Sequence, residues 1–388
     1  VRKGIHMTYF DYSATTPVHP EVAQSIQEVL TRYYGNPSSL HRLGVEAEHL
    51  VSQARERIAD MLMVPKNSII FTSGGSESNN LAIKGAASRL RKRGKHIITS
   101  SIEHSSVYDT VRQLEPYGYE ITVLPVDRNG RVQPERVEEA IRDDTVLVSI
   151  MYVNNELGSI QPVEEIAAIL KRHPKVLFHV DAVQAAGKIP VDPEKLGVDM
   201  LSLSAHKFQG PKGIGILYKR EAVRLDPLIS GGGQEFGLRS GTENVPYIVG
   251  MAKALRLAVE NQPAAWRRVS ELKKRLVAQL TGVPGIEINS PTDDALSVPH
   301  IVNLSCTGLK SEVLVHTLEQ RGFYISSRSA CSSSEDKPSR ILLALGLTEE
   351  QARSGLRISL AKDHTPEEVD QLASALKQSV QELRQILR

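Results

Sequence analysis

The residues with the most chemical potential are Ser204-Ala205-His206-Lys207, which follow the apolar run Met200 to Leu203 and precede the turn Gly210-Pro211-Lys212-Gly213. A lysine at that junction stands where a strand ends, the edge at which open α/β sheets present their chemistry. Its amine becomes a nucleophile when desolvation or a neighbouring cation lowers its pKa, and His206 and Lys212 can supply such a field. Taken alone, Ser-x-x-His-Lys is more often a solvated turn. What gives Lys207 weight is its company elsewhere in the chain.

Other strand ends are also polar. Glu103-His104 follows Ile97-Ile98-Thr99, Asn154-Asn155-Glu156 follows Val146 to Ile150, and Asp181-Ala182-Val183-Gln184 follows Val176 to Val180. Ser73-Gly74-Gly75-Ser76 joins the short strand Ile69 to Thr72 to a helix from about Glu77. Unpaired N–H groups at such a helix start make a phosphate seat, although a Gly-Gly turn commonly does no more than join strand to helix. A lysine Schiff-base enzyme built on pyridoxal phosphate needs an amine, an acid for the pyridine nitrogen and a phosphate cradle. Lys207 supplies the amine and Asp181 the acid. Gly75, Ser76, Ser204 and His206 are candidates for the phosphate, and the His104 ring can stack on the cofactor. Singly, Asp181 reads as a helix cap, His104 as a rim residue and Gln184 as a hydrogen-bonding helix residue; jointly, successive strand ends hold every part.

The elements that must position these groups alternate. Strands at 69–72, 97–99, 121–124, 146–150, 176–180 and 213–218 are separated mostly by helical stretches, which implies a mostly parallel sheet covered on both faces. Ahead of it, one helix carries Val22, Ile26, Val29 and Leu30 on a single face. A second carries Val45, Leu50, Ala54, Ile58 and Met61 toward the core, with Glu46, Glu48, Arg55 and Glu56 toward water. The glycine-rich loop from Ser230 to Asn244 is too long for a tight turn. A change of texture near Pro263 predicts a domain boundary, followed by a Trp266-containing helix, a strand at 300–304 and a helix near 311–320. Seven of the fourteen residues from Ser326 to Ser339 are serine, with Cys331 among them, so this loop is expected to be mobile. Thr365-Pro366-Glu367-Glu368 opens a last helix that buries Val369, Leu372, Leu376, Leu383 and Leu387.

Composition narrows the function classes. Of 388 residues, 40% are hydrophobic and 24% charged, and the formal net charge is +2, a balance that gives no charge-based reason to expect direct nucleic-acid or membrane binding. Two cysteines, Cys306 and Cys331, make no disulfide framework and fit a reducing compartment. Without an apolar leader or transit-like N-terminus, a cytoplasmic location is expected. Residues 1–6, ahead of Met7, carry no expected element, and no metal site is expected.

From Tyr9 to Arg388 the chain resembles the cysteine desulfurases, class V members of the fold-type I pyridoxal-phosphate enzymes. The resemblance is carried by Tyr12 to Pro17, Gly35 to Ser39, Thr72 to Glu77, Glu103-His104, Val153 to Gly158, His179 to Gln184, Ser204 to Lys207, Gly210 to Gly213, Gly231 to Asn244, Ser329 to Ser332 and Arg357 to Ser359. It implies a large cofactor-binding domain over 17–262 and a smaller α+β domain from 7–16 plus 263–388. It also implies a homodimer in which Lys207 holds the cofactor, Asp181 meets the pyridine nitrogen, Gln184 the ring hydroxyl and His104 the ring face, with Thr242 reaching the neighbouring subunit's phosphate.

Asn155 and Arg357 would bind the substrate carboxylate, and Cys331 would take sulfur from L-cysteine as a persulfide, leaving alanine. The recipients would be acceptor proteins, an iron–sulfur scaffold or a tRNA- or cofactor-thiolating enzyme. Loop length resembles the subgroup that passes its persulfide to partners. Ser76 stands where relatives often have Thr, Arg328 where Gly is common and Ala361 where Gly often follows. Cys306, after a strand, reads as passive. The rival readings are a selenocysteine lyase or another class V lyase or aminotransferase, a catalytically silent scaffold, and a cofactor-free thiol hydrolase.

Overall fold

The computed structural model describes residues 7–327 and 337–386. Twelve strands among them are β1 (Thr8–Tyr9), β2 (Ile69–Thr72), β3 (His96–Ser100), β4 (Glu120–Leu124), β5 (Thr145–Met151), β6 (Leu177–Asp181), β7 (Met200–Ser204), β8 (Gly215–Lys219), β9 (Glu287–Ile288), β10 (Ile301–Ser305), β11 (Phe323–Tyr324) and β12 (Gly355–Ser359). Seven form one sheet in the order β2-β8-β7-β6-β5-β3-β4. All its pairings are parallel except those of β8, which runs antiparallel to both β2 and β7. β2, β3, β5, β7 and β8 are buried along their whole length, as expected of strands covered on both faces. The α/β architecture expected from the alternating pattern is the one observed.

Parallel register sets where the chemistry lies. Asp181 is level with Ser202, and Ser204 with Gly215, which also pairs Thr72. The turn after β2 and the ends of β6 and β7 therefore share one rim. Gly215 is needed there, because a Cβ on it would come within 2.7 Å of the Gly74 backbone.

A second hydrophobic core gathers Phe10, Leu272, Leu276, Leu304, Leu318, Ile358, Leu372 and Leu376. It is built around the antiparallel sheet β12-β10-β9, with β1 and β11 as a separate parallel pair. One helix, Val245–Leu280, runs between the cores with Pro263 inside it, so the boundary expected at 262/263 falls within a continuous element. The division into two units stands as our proposal, with this helix as their shared part.

The helix faces are partly rephased. In Pro20–Arg32, Val22, Ile26 and Val29 are buried, but Leu30 is 56% exposed. In Arg42–Leu62 the inward face is Ala47, Val51, Ala54, Ile58 and Leu62; Val45 is exposed, and Leu50 and Met61 are only partly covered. A stripe at i, i+4, i+7 centred on alanine is easily shifted by larger neighbours at its edge. Arg55, assigned to water, forks onto Glu235 at 2.6 and 2.8 Å and donates to the Ile69 carbonyl, while Glu235 accepts from Phe71 N–H. The pair ties the glycine-rich loop to β2. The last helix, Pro366–Ile386, opens with the expected reciprocal Thr365 and Glu368 bonds and buries Val369, Leu372 and Leu376. Leu383 is partly covered, and Leu387 lies outside the described residues.

Because the Glu235 side chain is only 2% exposed, Arg55→Met strands a buried carboxylate. The expected cost is about 3–5 kcal/mol, read as a lower midpoint in denaturant unfolding.

Candidate active site

A cavity of about 120 Å³ opens at the rim, lined by Gly75, Ser76, Asn79, His104, Ser106, Met151, Val153, Asn155, Asp181, Val183, Gln184, Ser204, His206 and Lys207. Nine of the eleven sequence-predicted site residues that the structure describes thus meet around one space. Thr242 is exposed on the glycine-rich loop, and Arg357 lies inside the smaller core. Cys331 and Arg328 lie outside the described residues.

Lys207 ends a short helical turn, Ala205–Lys207, after β7. Its Nζ donates to the carbonyls of Ser13 at 2.6 Å and Ala14 at 2.8 Å. The adjacent His206 ring meets Thr15 Oγ1 at 3.1 Å. Burial, then the charges of Lys207, Lys212 and Lys188, push His206 down to about 4, so at neutral pH it is an uncharged imidazole. The cationic field anticipated around Lys207 therefore comes from lysines, not from His206.

Asp181 accepts from Asn79 Nδ2 at 2.9 Å and from Val183 N–H at 3.0 Å. Asn79 also donates to Ser106 Oγ, which meets His104 Nδ1 at 2.8 Å, while Ser106 N–H bonds the same nitrogen. Acid and ring are thereby held by one chain of hydrogen bonds. Behind them the His179 ring, bridging Ser149 and Ser202, is kept neutral by burial, its pKa pushed down to about 3. Glu103 is buried with Oε2 unpartnered; burial dominates over hydrogen bonds from Ser100 and Met151 and pushes it up to about 8. At neutral pH Glu103 is therefore largely protonated.

The helix Gly75–Leu90 starts on Gly74, whose φ of 154° favours glycine. A Cβ on Gly75 would approach Val183 Cγ2 to 2.7 Å, so only glycine leaves the N-terminal amides open. Glu77 sits in this first turn. Burial opposes its charge, but hydrogen bonds from Arg239 and Ser73 outweigh that and lower its pKa. The Glu77–Arg239 bridge places the glycine-rich loop beside the seat.

Arg357 is 1% exposed; its Nη2 meets Asp11 Oδ1 and its Nη1 the Asn155 carbonyl, both at 2.9 Å, and its Nε is unpartnered. Asn155 Oδ1 is also buried without a partner. The arginine expected to take a substrate carboxylate already carries a carboxylate of the chain itself. Sequence reasoning missed Asp11, Asn79, Ser106 and Lys188. Their one signal was polarity at positions that the helical pattern assigns to the interior or to a turn.

The donor set fits pyridoxal phosphate: an open helix start, a lysine at 2.6–2.8 Å from two carbonyls that it can leave, a fixed carboxylate and unspent buried polar atoms. Residues 8–372 match the family described as Aminotransferase class-V. A cysteine desulfurase IscS of Methanosarcina thermophila is 46% identical over 97% of this chain and 92% of its own. A NifS/IcsS protein homolog of Lactobacillus delbrueckii subsp. bulgaricus is 48% identical over 98% and 99%. The solved structure of a NifS-like protein superposes with a TM-score of 0.90 at 42% identity, covering 96% of this chain and 98% of that one. These matches define a pyridoxal-phosphate enzyme of fold-type I. The chain belongs to the aminotransferase class-V family, in agreement with the resemblance read from its motifs.

Glu103 prefers its proton when folded, with a pKa of about 8 against 4.5, so the stability of the neutral form is present below pH 4.5 and lost as pH rises through 8. Glu103→Gln removes that loss. Its melting temperature relative to the native protein is expected to climb between pH 5 and pH 8; a gap independent of pH would show that Glu103 is ionised in the fold.

Proposed function

We propose that this chain is a pyridoxal-phosphate-dependent cysteine desulfurase that converts L-cysteine to L-alanine and collects the sulfur on Cys331. The observation that carries the reading is the convergence of Lys207, Asp181 and His104 on one buried rim cavity, in a chain whose relatives bear that activity in their names. When bound through Lys207, the cofactor supplies an electron sink for the pair released at the substrate Cα.

The remaining work falls to side chains. Asp181, fixed by Asn79 and Val183, keeps the ring nitrogen protonated. His104, oriented by Ser106, covers the ring face and stands within reach of protons moving at the substrate. Gly75, Ser76, Ser204 and neutral His206 donate to the phosphate, with Thr242 of a second copy as a further donor. That assignment suits a threonine exposed on a loop rather than set in its own cavity, and it makes the working unit a homodimer. Arg357 binds the substrate carboxylate through its buried and unspent Nε and Asn155 through its side-chain NH₂, while Asp11 holds the fork in place.

The Cys331 thiolate attacks the substrate sulfur. An S–S bond forms as the Cβ–S bond breaks, the electron pair returns to carbon, and protonation completes alanine. The persulfide then serves sulfur-acceptor proteins, an iron–sulfur scaffold or a thiolating enzyme. No helix among the described residues is long and apolar enough to cross a membrane, and we place the reaction in the cytoplasm. Cys306 is fully buried with its thiol pushed up to about 12 by burial, which leaves Cys331 as the thiol for transfer.

Lys207→Ala is expected to abolish both the visible band of bound cofactor and alanine production. Cys331→Ser should keep the band while sulfide release from L-cysteine falls by orders of magnitude; undiminished release would turn the reading toward a selenocysteine lyase or another class V lyase.

A further inference from the structure

Gln184 and Lys188 lie four residues apart in the run of turns after β6, where the sequence predicts a helix, and Lys188 Nζ donates to Gln184 Oε1 at 3.0 Å. This is the one hydrogen bond of the Lys188 ammonium among the described residues, although the side chain is buried, at 8% exposure. On the other side, Gln184 Nε2 donates at 2.9 Å to the Ser13 carbonyl, the same oxygen that accepts from Lys207. The Ser13 carbonyl offers only lone pairs and so fixes the NH₂ end on itself; the Lys188 ammonium offers only donors, and after losing a proton Lys188 still has N–H groups to give to Oε1. Both neighbours therefore demand the same orientation of a carboxamide whose two ends are nearly equal in shape. The NH₂ end, with one hydrogen unspent, is the end held beside the Lys207 partner, and Gln184 lines the cofactor cavity.

Lys188 also borders a second cavity of about 110 Å³, shared with Tyr12, Lys207 and His300. Burying an ammonium is costly, and among the described residues no carboxylate pairs with it, although Asp363 lines the same cavity. Burial and the cations Lys207 and Arg357 push Lys188 down to about 7, and Lys188 in turn helps to depress His206 and His300, whose Nδ1 is unpartnered. A methionine would fill the same volume, so packing does not explain a lysine at this position.

We propose that Lys188 is a positioning residue: by holding the Gln184 carbonyl it presents the Gln184 NH₂ to the cavity as a donor for the anionic ring oxygen of the cofactor. The proposal rests on the placement of the cofactor in this cavity. A donor from Gln184 lets the phenolate depend less on the proton carried by the Lys207-bound nitrogen. That nitrogen then loses its proton at lower pH.

The test is a pH titration of the visible absorption of the loaded protein. Lys188→Met is expected to move the transition upward by about 0.5–1 pH unit, the size of one hydrogen bond to an anion partly lost. Lys188→Arg, which keeps both donor and charge, should titrate with the native protein. In a Gln184→Leu background, Lys188→Met should add no further shift, because the effect runs through the carboxamide. No shift in Lys188→Met, or an equal shift in both backgrounds, overturns the proposal; the second outcome would mean that Lys188 acts through charge alone. Should the methionine variant fail to load, Lys188→Gln is titrated against the same two criteria. A native protein without a visible band that Lys207→Ala removes would sink the cofactor placement itself, and this proposal with it.

Discussion

The site depends on a register constraint. Strands buried on both faces can expose polar groups only at their ends, and the parallel pairing of β6 with β7 puts Asp181 level with Ser202, two residues short of the end of β7. The acid and the amine that we propose to meet one ring are thus spaced by backbone hydrogen bonds rather than by side-chain packing. β8, running the other way, brings Gly215 against Gly74, and so lets the helix start close in on the same rim. Misplacing one strand by a residue would turn Asp181 into the core.

Onto that rim the N-terminal segment is laid as a strap. Ser13 and Ala14 carbonyls receive Lys207, Thr16 bonds both the His206 carbonyl and Gln209 N–H, and Asp11 takes Arg357. The strap joins the smaller core to the large sheet through the site itself. Its carbonyls are neutral acceptors, which hold an ammonium less tightly than a carboxylate would. A lysine that must exchange partners is better parked on amides than on an acid.

Much of this was legible in the chain. Lys207, Asp181 and His104 could be found because each terminates an apolar run, and Gly75 because two glycines sit at a strand-to-helix joint. The second layer was not legible. Asn79 and Asp181 are 102 residues apart, and nothing in a helix sequence says which asparagine will face a strand end. Lys188 reads as a surface lysine after a glycine, and only tertiary burial makes it otherwise. The helix Arg42–Leu62 was misphased at Val45 because a face built on Ala47 and Ala54 gives little hydrophobic contrast. The change of texture near Pro263 read as a domain boundary, yet one helix continues through it.

That helix has a consequence for how the molecule comes apart. Its 36 residues span about 54 Å and contribute Ile248, Met251 and Leu255 to one core and Val269, Leu272 and Leu276 to the other. Melting either half frays a rod on which the other half is wound, so damage in the smaller unit is felt at the sheet. The two cores thus share one covalent and packed element, and neither can lose its part of that helix without exposing apolar side chains of the other's half.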